Sequence, residues 1–288
     1  MITFRDRFVT ANRLRLHLLE WGEQGPVILL LHGYLEHAHA WDWVAPHLAA
    51  AGYHVFALDW RGHGDSEWIG AGGYYHFLDY VADLAGLRRA LGERVALVGH
   101  SMGGGAAVLY AGTEPEHVWA FVSVEGLGMP DTDPATTPTR VADWLHDLRR
   151  HERRPRMSVS YEAAMERLRY RFPTFSQPIA HLLIEHGTRP VTGRLFWKFD
   201  PLHQTRAPQP VYVAQARAFW RRVACPVLYV EGGESQLRLS EPDLADRLAT
   251  LRAERVSIPG AGHHPQLEQP AVLTRVLLDF LRRARGTT

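Results

Sequence analysis

Val95-Ala96-Leu97-Val98-Gly99-His100-Ser101-Met102-Gly103-Gly104-Gly105-Ala106-Ala107-Val108-Leu109 is the stretch that decides the fold. Its opening apolar run reads as a buried strand. The Gly- and Ala-rich segment that follows reads as a helix packed close to that strand. Between them lies Gly-x-Ser-x-Gly at a strand-to-helix turn. A turn this sharp strains the backbone of its central residue and lifts the hydroxyl above the sheet edge. Gly99 and Gly103 omit the Cβ atoms that would collide with the neighbouring strand and helix. Ser101 is therefore the expected nucleophile.

Outward from this turn, short apolar runs alternate with segments of helical period, the pattern of a mainly parallel sheet with helices on both faces. Leu14-Leu16-Leu18 alternates with polar residues and is expected to be a half-exposed strand. Val27–Leu31, Val55–Leu58, Val95–Val98, Phe121–Val124, Val227–Val230 and Arg255–Ile258 are the further expected strands. Phe77, Tyr80, Val81, Leu84, Leu87 and Leu91 recur at helical spacing, as do Leu244, Leu248 and Leu251, and Val272, Val276, Leu277, Phe280 and Leu281. From Met129 to Ala224 the pattern changes. A Pro/Thr-rich linker leads into helical stretches marked by Val141–Leu148, Tyr161–Phe172 and Ile179–Leu183, and strands are expected to resume only at Val227. This segment reads as a helical lobe inserted between two strands, placed to cover a pocket and restrict water.

A serine hydroxyl needs a base to take its proton. Among 17 histidines, His263 stands out by context. It follows the strand Arg255–Ile258 and the turn Pro259-Gly260-Ala261-Gly262, a position at the carboxyl end of a strand where catalytic groups of open α/β sheets collect. His264 competes for the role. An oxyanion hole needs two preorganised N–H donors. The candidates are the backbone of Met102, next after the nucleophile, and of Tyr34, in the loop His32-Gly33-Tyr34 after the Val27–Leu31 strand. His32 reads as a residue that holds this loop.

With these motifs in hand, the chain resembles the α/β-hydrolase fold superfamily, in its capped, single-chain, esterase-like form, over nearly its whole length. The resemblance rests on His32-Gly33, Asp59-Trp60-Arg61-Gly62-His63-Gly64-Asp65-Ser66, Gly99–Gly103 and Gly260–His263. It implies an α/β fold: a mainly parallel, doubly wound, eight-stranded sheet with an inserted helical cap. The core would be residues 1–128 and 225–288 and the cap 129–224. Asp59, Arg61 and His63 take the role of a structural turn near the nucleophile.

One position departs from the family pattern. The acid usually follows the strand before the last, and here that run is Val227-Leu228-Tyr229-Val230-Glu231-Gly232-Gly233-Glu234-Ser235, with serine at the expected aspartate position. A serine cannot stabilise an imidazolium as a carboxylate does. Glu125, at the carboxyl end of Phe121–Val124, is the preferred replacement, because haloalkane dehalogenases with a glutamate acid use the equivalent strand end. Glu234 and Glu231 are the alternative acids.

Composition narrows the function classes. The 288 residues are 46% hydrophobic and 22% charged, ordinary for a globular chain with one large core and an attached lobe. A net charge of +1 gives no reason to expect nucleic acid or an anionic membrane as partner. The single cysteine, Cys225, forms no internal disulfide and reads as a small core residue. No run approaches a membrane span, and a cytoplasmic location is the expectation. Trp41, Trp43, Trp60, Trp68, Tyr74 and Tyr75 in core loops, with Trp144, Phe172, Phe175, Phe196, Trp197, Phe199 and Trp220 in or near the cap, divide between core and an apolar, aromatic pocket. His37 and His39 lack a carboxylate at metal-ligand spacing and read as structural, so neither metal nor cofactor is expected. The resulting expectation is a serine hydrolase acting on a small-molecule ester, lactone or thioester through Ser101, His263 and Glu125. A serine nucleophile argues against dehalogenase and epoxide hydrolase chemistry, which needs a carboxylate. A carbon–carbon bond hydrolase on the same triad and a non-catalytic ligand receptor are the alternatives. Oligomeric state is not legible.

Overall fold

The computed structural model describes residues 3–152 and 158–286. Its strands are β1 (Arg5–Ala11), β2 (Leu14–Trp21), β3 (Val27–Leu31), β4 (His54–Leu58), β5 (Val95–His100), β6 (Val118–Val124), β7 (Thr188–Val191), β8 (Arg194–Trp197), β9 (Val227–Gly232) and β10 (Glu254–Ile258). Its helices are α1 (Ala45–Ala50), α2 (Phe77–Leu91), α3 (Met102–Thr113), α4 (Thr137–Glu152), α5 (Tyr161–Arg171), α6 (Gln177–Gly187), α7 (Val213–Trp220), α8 (Glu241–Leu251), α9 (Pro265–Glu268) and α10 (Pro270–Gly286). Eight strands form one sheet in the order β1-β2-β4-β3-β5-β6-β9-β10. β2 is antiparallel to β1 and β4, and the other neighbours pair in parallel.

The central strands are mostly apolar because both faces are covered. Leu29 and Leu31 of β3 and Leu97 of β5 face a core shared with Leu84 and Leu87 of α2, Ala106 and Ala107 of α3 and Leu244 of α8. Ile28 and Leu30 of β3, with Ala96 and Val98 of β5, face the opposite core, closed by Leu48 of α1 and by Leu273, Leu277 and Phe280 of α10. Each such leucine contributes about 1.5–3 kcal/mol by leaving water. Parallel pairing then brings the carboxyl ends of β3, β5, β6, β9 and β10 to one edge of the sheet. Ligands of open α/β sheets bind at that edge.

Three local expectations change, and one strand, β1, has no counterpart among the expected ones. β2 is buried from Leu16 to Trp21 rather than half exposed. Its polar positions are matched: His17 Nδ1 pairs with Asp59 at 2.7 Å, and Glu20 accepts from Arg5, Arg7 and His54. The charged stretch at Arg5 is an edge strand, β1, whose exposed face hides it from a hydrophobic reading. Strands do not stop between β6 and β9. The insertion holds the hairpin β7–β8, closed by Thr192-Gly193 with φ of 48° and 76°, the two left-handed residues that a two-residue hairpin loop requires. The end of the 129–224 segment returns to the core: Trp220 of α7 and Val223 lie in the same cluster as Leu29 and Leu97. Among the described residues, no helix is long and apolar enough to cross a membrane.

Candidate active site

Ser101 stands between β5 and α3 with φ 49° and ψ −114°. This is a strained conformation for a residue with a side chain. The close packing explains the two flanking glycines. A Cβ on Gly99 would lie 2.5 Å from the backbone carbon of Gly103, and one on Gly103 would lie 2.5 Å from the carbonyl oxygen of Leu31.

The loop after β10 brings His263 Nε2 to 3.0 Å from Ser101 Oγ. On the other side of the ring, Nδ1 stands 3.0 Å from Glu125 Oε2. A carboxylate only accepts, so Nδ1 carries the proton and Nε2 presents its lone pair to the serine hydroxyl. Glu125 follows β6 directly, in a left-handed conformation with φ 54°. Its Oε1 accepts from Gly232 N–H at 2.7 Å and its Oε2 also accepts from the Ser235 hydroxyl at 2.8 Å. Burial alone would raise its pKa, but the bonds from His263, Ser235 and Gly232 outweigh it and hold the carboxyl below its ordinary value. The structure brings neither alternative acid to the histidine. Glu231 is paired with Arg255 through two contacts of 3.0 Å, and the Glu234 side chain is exposed.

Behind the site lies a buried network that sequence reading did not find. His100 Nε2 donates to the carbonyl of His263 at 2.7 Å, and its Nδ1 faces the Glu36 carboxylate at 3.2 Å. Both ring nitrogens face acceptors, which only the imidazolium can satisfy. Burial lowers the His100 pKa, yet Glu36 and the carbonyl of His263 together raise it above the usual histidine value. Glu36 also accepts from Gly33 N–H at 3.1 Å and pairs with His264 Nε2 at 3.1 Å. One carboxylate thus ties the Gly33–Tyr34 loop to the residues beside Ser101 and His263. His264 is engaged in this network and does not face Ser101. No linear motif marks the network, because residues 36, 100 and 264 share only the sheet edge.

The Gly33–Tyr34 loop is held from the other side by His32, whose Nδ1 donates to Gly33 O at 2.7 Å and whose Nε2 accepts from Trp60 N–H at 3.1 Å. Asp59 is likewise an internal brace, accepting from the N–H groups of Ala38 and Asp65 at 2.7 and 2.9 Å. Met102 opens α3 immediately after Ser101.

The insertion touches the site from two sides. Phe172 and Phe175 stack against each other, and each lies nearly perpendicular to the His264 ring. Tyr34 donates its hydroxyl to the carbonyl of His203. Of the aromatic residues that divide between core and pocket, Trp41, Trp60 and Trp220 are core.

The sequence matches the family described as alpha/beta hydrolase fold over residues 26–270. Among solved structures, a hypothetical protein of Pseudomonas aeruginosa is 31% identical, with a TM-score of 0.87 over 96% of this chain and 99% of that one. A thioesterase domain from the curacin biosynthetic pathway is 27% identical, with a TM-score of 0.83 over 96% of this chain and 99% of that one. Among curated proteins, epoxide hydrolase A of Mycobacterium tuberculosis is 29% identical over 96% of this chain and 97% of its own length. The chain is a hydrolase of the α/β-hydrolase fold family.

Proposed function

We propose that the protein cleaves a carboxylic ester, or a related acyl substrate such as a thioester or lactone, through an acyl-serine intermediate. The observation that carries this reading is the hydrogen-bonded chain Ser101 Oγ–His263–Glu125 Oε2, with two links of 3.0 Å. His263 Nε2 takes the Ser101 proton as Oγ attacks the acyl carbon. The resulting oxyanion is met by the N–H groups of Tyr34 and Met102. His263 then gives its proton to the leaving alcohol or thiol, and water repeats the sequence to release the acid and restore the serine. Glu125 orients the ring and stabilises the imidazolium without taking its proton.

The acyl chemistry follows from the nucleophile. Opening an epoxide through an alkyl-ester intermediate needs a carboxylate at the elbow, and this chain has Ser101 there although several relatives are named epoxide hydrolases. The similarity to a thioesterase domain points the same way. The part of residues 129–224 that precedes Trp220 acts as a cap, and Phe172, half-buried beside His264, favours an apolar or aromatic acyl group.

The test is labelling with a fluorophosphonate followed by peptide mass spectrometry, together with a panel of aryl esters, lactones and thioesters. Ser101 is expected to be the labelled serine, and Ser101→Ala to lose label and turnover while remaining folded. Labelling at another serine with Ser101 untouched would contradict the reading.

A further inference from the structure

His39, Asp42 and His186 converge where the core meets the insertion. His39 lies in the one-turn helix Ala38–Trp41 that follows the Gly33–Tyr34 loop, and Asp42 caps that turn. His186 is in the last turn of α6. The short helix places Asp42 three residues after His39 on the same side, and His39 Nδ1 lies 2.9 Å from Asp42 Oδ2. This contact supplies the carboxylate that the linear pattern of histidines lacked. The rings of His39 and His186 stack with centroids 3.6 Å apart. One ligand-capable atom from each of the three residues lies within 4.8 Å of the others. A tetrahedral zinc shell with bonds of about 2.0–2.1 Å has edges of about 3.4 Å, so binding draws the three ligand atoms together and turns the His186 ring out of its stack with His39.

Two further observations mark the place as more than a packed histidine pair. Asp42 Oδ1 is buried and has no hydrogen-bond partner among the described residues. His37, beside both rings at 5.9 and 6.3 Å, donates Nε2–H to the carbonyl of Leu183, which leaves Nδ1 as a lone pair, also buried and without a partner. The other groups that could hold an ion differ in this respect. Glu36, His100 and His264 satisfy one another and Gly33, and Asp59 is fully engaged by His17, Ala38 and Asp65.

We propose that His39, Asp42 and His186 form a binding site for a divalent transition metal of the zinc type, which joins α6 of the insertion to the core. Two imidazoles and one carboxylate are the ligand chemistry of Zn²⁺, Co²⁺ and Ni²⁺ rather than of Mg²⁺ or Ca²⁺. The ion takes the place of the proton between His39 Nδ1 and Asp42, and Nε2 of the same ring takes up a proton from solvent, so that His39 binds as a neutral imidazole. Water fills the fourth position. Because the ligands come from both sides of the junction, occupancy restrains the insertion relative to the Gly33–Tyr34 loop.

The experiment is calorimetric titration of the chelator-treated, full-length protein with ZnCl₂, repeated with MgCl₂. Thermal unfolding and amide hydrogen exchange of α6 are read on the same samples. One equivalent of Zn²⁺ is expected to bind, to raise the unfolding midpoint and to slow exchange in α6, while Mg²⁺ does none of these. His186→Gln and Asp42→Asn, checked for folding by circular dichroism, should each weaken binding at least about tenfold, by analogy with loss of groups that support a metal site. Glu36→Gln should leave it intact. Zinc binding that is equally strong in His186→Gln and Asp42→Asn, or that is lost only in Glu36→Gln, would overturn the proposal. So would wild-type protein that binds no zinc.

Discussion

Ser235 donates its hydroxyl to Glu125 Oε2 across 2.8 Å. The position that usually carries the acid in this family thus holds a residue that supports a carboxylate from the neighbouring strand. Glu125 keeps three hydrogen-bond donors, from Gly232, Ser235 and His263. Together they overcome the cost of holding a charge in a buried position.

Ser235→Ala removes one donor and leaves the charge in place. A hydrogen bond to a charged group contributes about 1.5–3 kcal/mol, and most of this is present in both the ground and the transition state. Stability to urea should therefore fall clearly, while kcat falls less than about tenfold. Ser235→Asp should do worse, since two carboxylates at this distance cannot both ionise. The acid limb of its pH–kcat/KM profile should move to higher pH. An unchanged profile in Ser235→Asp would mean that residue 235 does not act on Glu125.

His100 fixes the carbonyl of His263 and, through Glu36, the loop that carries Tyr34. His100→Gln retains a donor but loses the charge that faces Glu36. Turnover should fall by about 10- to 100-fold, the size of effect seen when groups supporting a reactive ligand are removed, with little change in KM. Glu36→Gln should resemble it. A change confined to KM would place His100 in substrate binding rather than in positioning.

Stability should depend on pH through buried histidines. Burial lowers His37 and His203 to about 3 and also lowers His32, His63 and His264. An unfolded histidine titrates near about 6.5. Between these values the unfolded chain binds protons that the folded chain refuses. Their contribution is therefore complete above about pH 6.5 and is lost as pH falls toward 3. His17 and His100, both raised, oppose this trend, since their contribution is present at low pH and is lost as pH rises. Urea midpoints measured from pH 7.5 down to 4 should decline, and His203→Gln should decline less steeply. A flat profile would contradict the neutral state of these groups.

Sequence alone locates the strand ends before Ser101 and Glu125, because each follows an apolar run buried on both faces; His263 follows β10, of which only Ile258 is buried, and its place is read from the turn Pro259-Gly260-Ala261-Gly262. The left-out aspartate at Ser235 is equally visible there. Other features leave no linear trace. β1 presents charge to solvent, so its pattern is that of a loop. Thr192-Gly193 is a hairpin signal, but it sits between segments that read as helical or irregular, with Pro190 inside the strand. The Glu36–His100–His264 network and the His39–Asp42–His186 cluster depend on which loops meet at the sheet edge. The buried polar positions of β2 found their partners in distant strands, which local alternation cannot reveal.

The central claim is that Glu125 is the carboxylate acting on His263, and Glu125→Gln tests it most directly. The substitution keeps the size of the side chain and removes the charge that stabilises the imidazolium. With folding verified by circular dichroism, kcat on an activated aryl ester should fall by up to about 10⁴, the loss known for a triad acid changed to its amide. Glu234→Gln, measured beside it, should retain near-normal turnover because its side chain is exposed. A folded Glu125→Gln with near-normal kcat would contradict the account, and a crippled Glu234→Gln beside it would return the acid to the loop after β9.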